Sequence, residues 1–257
     1  MIKLVITVSA EAGAYLGARA NNYIIEKEIN MEIRKIFVVG SGLMGSGIAQ
    51  TAIQCGYEVI LNDQSKAALE RGVTGITKRL ERLVEKGKMT AEEKDDCLAR
   101  LTTSVSVHVA SNVDLVIEAI YENLEAKQAI FQQLDKICDS RTIFASNTSS
   151  ISMTSLAAAT SRPDRVVGLH FFSPVPVMSL VEIVYGLRTS QETIDIVTEV
   201  GKHMGKRPIL AKDKPGFIVN RMLLPMLNEA VQVLDEDIGS VEDVDEVGGQ
   251  AVLGRQT

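Results

Sequence analysis

The stretch "VVGSGLMGSGIAQ", residues 38–50, sets four glycines, Gly40, Gly42, Gly45 and Gly47, between an apolar run and a segment of helical spacing. Upstream, "KIFVVGSG" reads as a short buried strand that ends at glycine. Downstream, the spacing predicts a helix from Met44 to Cys55. Gly40, Gly42 and Gly45 thus spell GxGxxG at a strand-to-helix turn. The first glycine makes the tight turn, the second admits a pyrophosphate, and the third lets the helix lie close on the strand. Phosphates would then sit at the helix N-terminus, where free N–H groups and the positive dipole end favour anions.

The next strand, "YEVILND" at 57–63, ends in Asp63, 23 residues after Gly40. A carboxylate there accepts hydrogen bonds from an adenosine ribose and repels a 2′-phosphate. Gln64 and Ser65 bring no arginine for such a phosphate, which favours NAD over NADP. The plain alternative is a glycine-rich turn without a ligand. Strand, helix and acid occurring together speak against it.

Further apolar segments alternate with helical ones: "DLVIEAI", a helix from about Leu124 to Ile137, "TIFASN", "RVVGLHFF", "LVEIVYG", a helix near 191–203, and "RPILA". Residues 65–99 read as a long helical hairpin broken at Gly87 and restarted by "TAEE" at 90–93, a capping-box pattern. This alternation predicts a Rossmann-like, mostly parallel sheet with helices on both faces over residues 31–214. From Pro215 to the end, 215–257, the pattern is helical and amphipathic despite Pro225. Residues 1–30 read as an extension to which the sequence assigns no role.

Composition narrows the function classes. The 257 residues carry a net charge of −6, which argues against a general nucleic-acid binder. No apolar run reaches the length needed to span a membrane. Three scattered cysteines without a CxxC pair read as reduced thiols of a cytoplasmic protein. With only three histidines, none close to a cysteine, no metal site is expected.

Substrate chemistry has to come from outside the glycine motif. His170 closes a strand-like segment, and Glu182 lies 12 residues on, inside "SLVEIV". A glutamate in an apolar strand is costly to bury alone, and a histidine at the end of a neighbouring strand is a natural partner. The carboxylate would fix the imidazole tautomer for general acid–base work. His108 and His203 have no such company and read as surface or structural.

Together "GSGLMGSGIAQ", "IEAIYENLEAKQAIFQQLD", "FASNTSSISMTSLA", "RVVGLHFFSPVPVMSLVEIV" and "DKPGFIVNRMLLPMLNEAV" resemble the 3-hydroxyacyl-CoA dehydrogenases, in particular the short bacterial 3-hydroxybutyryl-CoA dehydrogenases. The resemblance implies an acyl-CoA substrate, with His170 as the catalytic base, Glu182 orienting it, and Ser149 and Asn220 hydrogen-bonding the substrate oxygens. It assigns the cofactor to Gly40, Gly42, Leu43, Met44, Gly45 and Asp63, with Glu122, Lys127, Asn147 and Ser173. Asn147 and Ser149 also suit turn chemistry, as "SNTSS" would cap the next helix. Arg82 and Lys86, four apart in the basic stretch "KRLERLVEKGK", would meet the phosphates of coenzyme A. A solvated helix face with Glu81 and Glu85 as partners explains them equally well.

The family is typically a homodimer through its C-terminal helices. Here the sequence diverges from the pattern after about Glu246, so the second domain is expected to be incomplete and turnover reduced. Two other readings stand beside the enzyme: an NAD-binding remnant of weak activity, and a β-hydroxyacid dehydrogenase of the 6-phosphogluconate type. The latter uses a catalytic lysine in a glycine-rich segment, and the "NTSS" and "LHFFSPVP" segments speak against it.

Overall fold

The structure, a computed structural model, describes residues 3–6, 25–28 and 31–252. The reading of residues 1–30 as an extension falls outside the described residues, apart from two short strands. These strands, β1 (Lys3–Ile6) and β2 (Ile25–Glu28), pair antiparallel.

The chain divides into two compact units, 1–213 and 214–257. The first is built on an eight-stranded sheet. Its elements run β3 (Lys35–Val39), α1 (Leu43–Gln54), β4 (Glu58–Asn62), α2 (Lys66–Glu85), α3 (Ala91–Ala99), β5 (Leu101–Ser104), β6 (Leu115–Glu118), α4 (Leu124–Asp135), β7 (Ile143–Ser146), α5 (Met153–Ala157), β8 (Val166–Phe171), β9 (Leu180–Tyr185), α6 (Gln191–His203) and β10 (Arg207–Lys212). The strand order is β10-β9-β8-β7-β6-β3-β4-β5. The chain leaves β3 towards β4 on one side and returns to β6 on the other. This reversal of direction is the place where open α/β sheets bind ligands, at the carboxyl ends of the strands.

Strand residues alternate between two buried faces, the pattern of a parallel sheet covered on both sides. Ile36 and Val38 join Ile48 and Ile53 of α1 and Ile196 of α6 in one apolar cluster. On other strands, Phe144 of β7 meets Phe131 of α4, with ring centroids 5.4 Å apart. Helix starts are set by side chains: Ser65 accepts from the N–H of Ala68, Asn123 from that of Ala126, and Thr90 forms the expected capping box with Glu93.

One strand departs from the sequence reading. That reading does not anticipate β5, because an edge strand of composition "LTTS" shows neither an apolar run nor strict alternation. The sheet is mostly parallel, as expected; the exception is that β9 runs antiparallel to β8, and β10 follows β9 in its direction. Only residues 172–179 join β8 to β9, and without a crossover helix the chain can only turn back.

The second unit contains α7 (Val219–Asp235), which continues through Pro225, and α8 (Val241–Glu246). None of the residues of α7 is buried, and Met222 and Val231 are exposed.

Candidate active site

At the tip of β3, Gly40 adopts φ +97°, a left-handed conformation that favours glycine. A Cβ there would stand 2.6 Å from the carbonyl oxygen of Ala119, and one at Gly45 would stand 1.8 Å from that of Gly40. These two glycines therefore close β3, α1 and the β6 turn onto one another. Gly42 is different. A Cβ there would meet nothing within 4 Å, so its bareness serves no packing within the chain. It is also the N-cap of α1, with no side-chain cap and no acid in the first turn. The first N–H groups of α1 are left for an anion. Leu43 is exposed and Met44 half-buried at the same turn.

Beside the turn lies a cleft of about 530 Å³ lined by Gly40, Gly42, Asp63, Ala119 and Tyr121, among others. Asp63 Oδ2 accepts from the Ser41 N–H at 3.0 Å and the Ser41 hydroxyl at 2.8 Å, and Oδ1 accepts from the Ser65 N–H at 3.0 Å. Burial works against its charge. The bonds from Ser65 and Ser41 outweigh burial and hold the carboxyl below the usual aspartate value. Asp63 is thus ionised, braces the glycine loop and lines the cleft. An open helix start, a bare Gly42 and a carboxylate at the cleft fit the pyrophosphate and ribose of NAD.

His170 and Glu182 are direct cross-strand partners on β8 and β9. Their side chains meet with Nδ1 2.7 Å from Oε2; Glu182 is fully buried and His170 nearly so. The next residue, Phe171, donates its N–H to Asn147 Oδ1 at 2.9 Å. Asn147 thereby ties the β7 end to β8 beside the histidine. Ser173 is exposed in the loop that follows.

The "NTSS" turn is held by Thr148 from within and by Glu122 from outside. Thr148 accepts from the N–H groups of Ser150 and Ile151, and the cap of α5 is Ser152, accepting from Ser155. The capping expected of Asn147 and Ser149 therefore falls to Thr148 and Ser152. Glu122 Oε1 receives the Thr148 hydroxyl, the Ser149 N–H at 3.2 Å and the Ser150 hydroxyl at 3.0 Å. Burial opposes charge on Glu122, but these hydroxyls and the Lys127 ammonium outweigh it and lower its pKa.

Behind Glu122, Lys127 is buried and pairs with Glu118, also buried, at 2.6 Å. The sequence reading misses Glu118, which it takes as one more residue of a strand. The signal is present in "DLVIEAI", where an acid ends an apolar strand as Glu182 interrupts another. Asp213, equally missed, accepts from the Ser152 hydroxyl and from the N–H and hydroxyl of Thr154, anchoring the start of α5.

Arg82 and Lys86 lie at the end of α2, and neither is ion-paired to Glu81 or Glu85 among the described residues. Arg79, in the same basic stretch, turns inward to Gln50 and Ser46 of α1. His203 approaches the Cys55 carbonyl at 2.8 Å, a structural place. Asn220 lies in the first turn of α7, in the second unit.

A dinucleotide turn at the sheet reversal, with an ionised acid closing the second strand, is the arrangement of an NAD-binding domain, the class to which dehydrogenases belong. Residues 35–214 match the NAD-binding domain model of 3-hydroxyacyl-CoA dehydrogenases, and residues 216–253 match that family's C-terminal domain. The chain is 48% identical over 217 residues to a probable 3-hydroxybutyryl-CoA dehydrogenase of Bacillus subtilis, covering 84% of this chain and 76% of the relative. It is 42% identical over 212 residues to the 3-hydroxybutyryl-CoA dehydrogenase of Clostridioides difficile, covering 82% and 75%. Among solved structures, the (S)-3-hydroxybutyryl-CoA dehydrogenase of Ralstonia eutropha superposes with a TM-score of 0.83 at 47% identity, covering 86% of this chain and 78% of that one. The chain belongs to the 3-hydroxyacyl-CoA dehydrogenase family. No described helix is long and apolar enough to cross a membrane.

Proposed function

We propose that the chain interconverts short (S)-3-hydroxyacyl-CoA and 3-oxoacyl-CoA thioesters, 3-hydroxybutyryl-CoA foremost, with His170 and Glu182 as its acid–base pair. The observation that carries this is the 2.7 Å contact between Nδ1 and the buried Glu182 carboxylate. With Nδ1 so held, proton exchange with the substrate falls to Nε2. In oxidation Nε2 takes the proton of the C3 hydroxyl, and Glu182 balances the imidazolium that forms. In reduction the same nitrogen returns it. NAD, when bound, supplies the hydride acceptor in one direction and, reduced, the donor in the other. Gly40, Gly42 and Gly45 would hold its pyrophosphate and Asp63 its adenosine ribose.

Ser149 is the candidate hydrogen-bond donor to the substrate's C3 oxygen, a short neutral hydroxyl suited to developing charge. Arg82 and Lys86 are candidates for the phosphates of coenzyme A. The names of the relatives support the acyl-CoA substrate.

The test is acetoacetyl-CoA reduction followed at 340 nm with NADH. His170→Gln should lose roughly 10²–10⁴-fold in kcat, the usual scale for a general acid or base, and still bind NADH. Full activity in that variant would overturn the assignment.

A further inference from the structure

Lys127 is 1% exposed, and its partner Glu118 is 0% exposed. Taking an ammonium and a carboxylate out of water costs several kcal/mol each, roughly, and an apolar pair of similar volume is often at least as stable. A buried ion pair is thus weak evidence for stability, and its connections are the better guide to its role. Glu118 Oε1 receives the Lys127 ammonium at 2.6 Å and the Ile120 N–H at 2.7 Å, while Oε2 receives the Ser146 hydroxyl at 2.6 Å. The ammonium also reaches Glu122 Oε2 at 3.3 Å and the Ile120 carbonyl at 3.4 Å. Glu122 turns its other oxygen to Thr148, Ser149 and Ser150. The Glu118 carbonyl accepts the Asn147 N–H at 2.8 Å, so Glu118 holds the start of the turn while Glu122 holds 148–150.

The resemblance to the family assigns Lys127 to the cofactor. Its burial and its partners point to a further part. We propose that Glu118 and Lys127 are positioning residues: the buried pair fixes Glu122, and Glu122 fixes the 148–150 turn that presents Ser149. This rests on the reading of Ser149 as a substrate contact. The sequence of bonds gives it direction. Lys127 lies between two carboxylates, one sealed in the sheet and one at the edge of the site. Weakening the inner carboxylate frees the ammonium to draw Glu122 inward and away from the turn. The glycine loop and Asp63 take no part in these bonds, and Ile120, which lines the cleft, can keep its bond to an amide oxygen at 118, so cofactor affinity should be largely kept.

The experiment uses the full chain with Glu118→Gln, Ser149→Ala and the double variant, with His170→Gln alongside. The amide keeps the volume and can still accept from Lys127 and Ile120. Expected for Glu118→Gln is a kcat at least ~10-fold lower, as small misplacements at a reacting centre produce, with NADH affinity by fluorescence titration within ~3-fold. In the Ser149→Ala background the same change should add less than ~2-fold, the non-additivity of residues acting through one another. If the two losses multiply, if kcat and NADH affinity fall together, or if kcat is unchanged, the proposal is overturned. Should Glu118→Gln fail to fold, Glu118→Asp decides by the same outcomes, since it keeps the buried charge and shortens its reach to Lys127. An inactive His170→Gln beside an unaffected Glu118→Gln removes only this inference. A fully active His170→Gln removes the functional reading itself.

Discussion

Gly45 lies so close to Gly40 that a Cβ on the former would stand 1.8 Å from the latter's carbonyl oxygen, whereas Gly42, between them in sequence, faces open space. One motif therefore contains two kinds of glycine, and substitution separates them.

Gly45→Ala should force the helix off the strand. Overpacking of this kind costs about 1–3 kcal/mol, so Tm falls and NADH binding falls with it. Gly42→Ala keeps an extended backbone with φ −66° and should leave stability within about 0.5 kcal/mol, as at an unstrained surface position. It should still weaken NADH binding by an order of magnitude or more. Calorimetric titration beside thermal melts checks both, and normal NADH affinity in the Gly42→Ala variant would show that the pyrophosphate binds elsewhere.

Asp63→Ala should raise the Kd for NADH and narrow the preference over NADPH, since the carboxylate that repels a 2′-phosphate is gone. Because Asp63 also braces Ser41, some loss should fall on both cofactors alike. The informative quantity is the NADH to NADPH ratio in paired titrations. A ratio unchanged by the substitution would limit Asp63 to bracing the loop.

Asp213 gives a stability prediction with a sign. Burial opposes its charge, but the bonds from Thr154, Ser152 and Met153 outweigh it and lower its pKa below 3.8. Its contribution is therefore present above the unfolded value and lost as pH falls through the lower folded one. Asp213→Asn should cost about 2 kcal/mol at pH 7, the scale of hydrogen bonds to a charged group. The gap to the unsubstituted chain should close as pH drops below about 4, the ordinary aspartate range. Melting curves from pH 7 to pH 3 test it. A gap that shows no narrowing as pH falls below about 4 would mean that the charge is not what anchors α5.

Arg82 and Lys86, without carboxylate partners among the described residues, should matter only to the nucleotide end of the substrate. Changing both to alanine should raise KM for acetoacetyl-CoA about fivefold, the scale of ~1 kcal/mol for exposed charges. A truncated thioester lacking the nucleotide should be unaffected. Equal responses would leave the pair as solvated helix surface.

Much of the fold was legible because each signal was local. The glycines of 40–45, the acid at 63 and the capping pattern at 90–93 act within a few residues of themselves. The His170–Glu182 contact was legible because a lone acid in an apolar strand demands a partner. Glu118 raised the same demand, but its partner Lys127 lies nine residues on, across a strand-to-helix turn, with the second acid Glu122 in between. Asp213 was hidden more deeply: its partners at 152–154 are about sixty residues away, and nothing near it in sequence marks a cap. The direction of β9 depended on the absence of a crossover helix, which apolar runs alone do not display.

Because His170 and Glu182 face each other across two antiparallel strands, their meeting depends on register and not on the loop between them. A one-residue slip of β9 would carry Glu182 to the opposite face of the sheet from His170. Residues 172–179 contribute no rung to that pairing. Insertions or exchanges in this loop can accordingly change its length and composition while the His170–Glu182 pair keeps its place. An odd-numbered deletion inside either strand separates the pair at once. The pair and the loop beside it are therefore heritable separately.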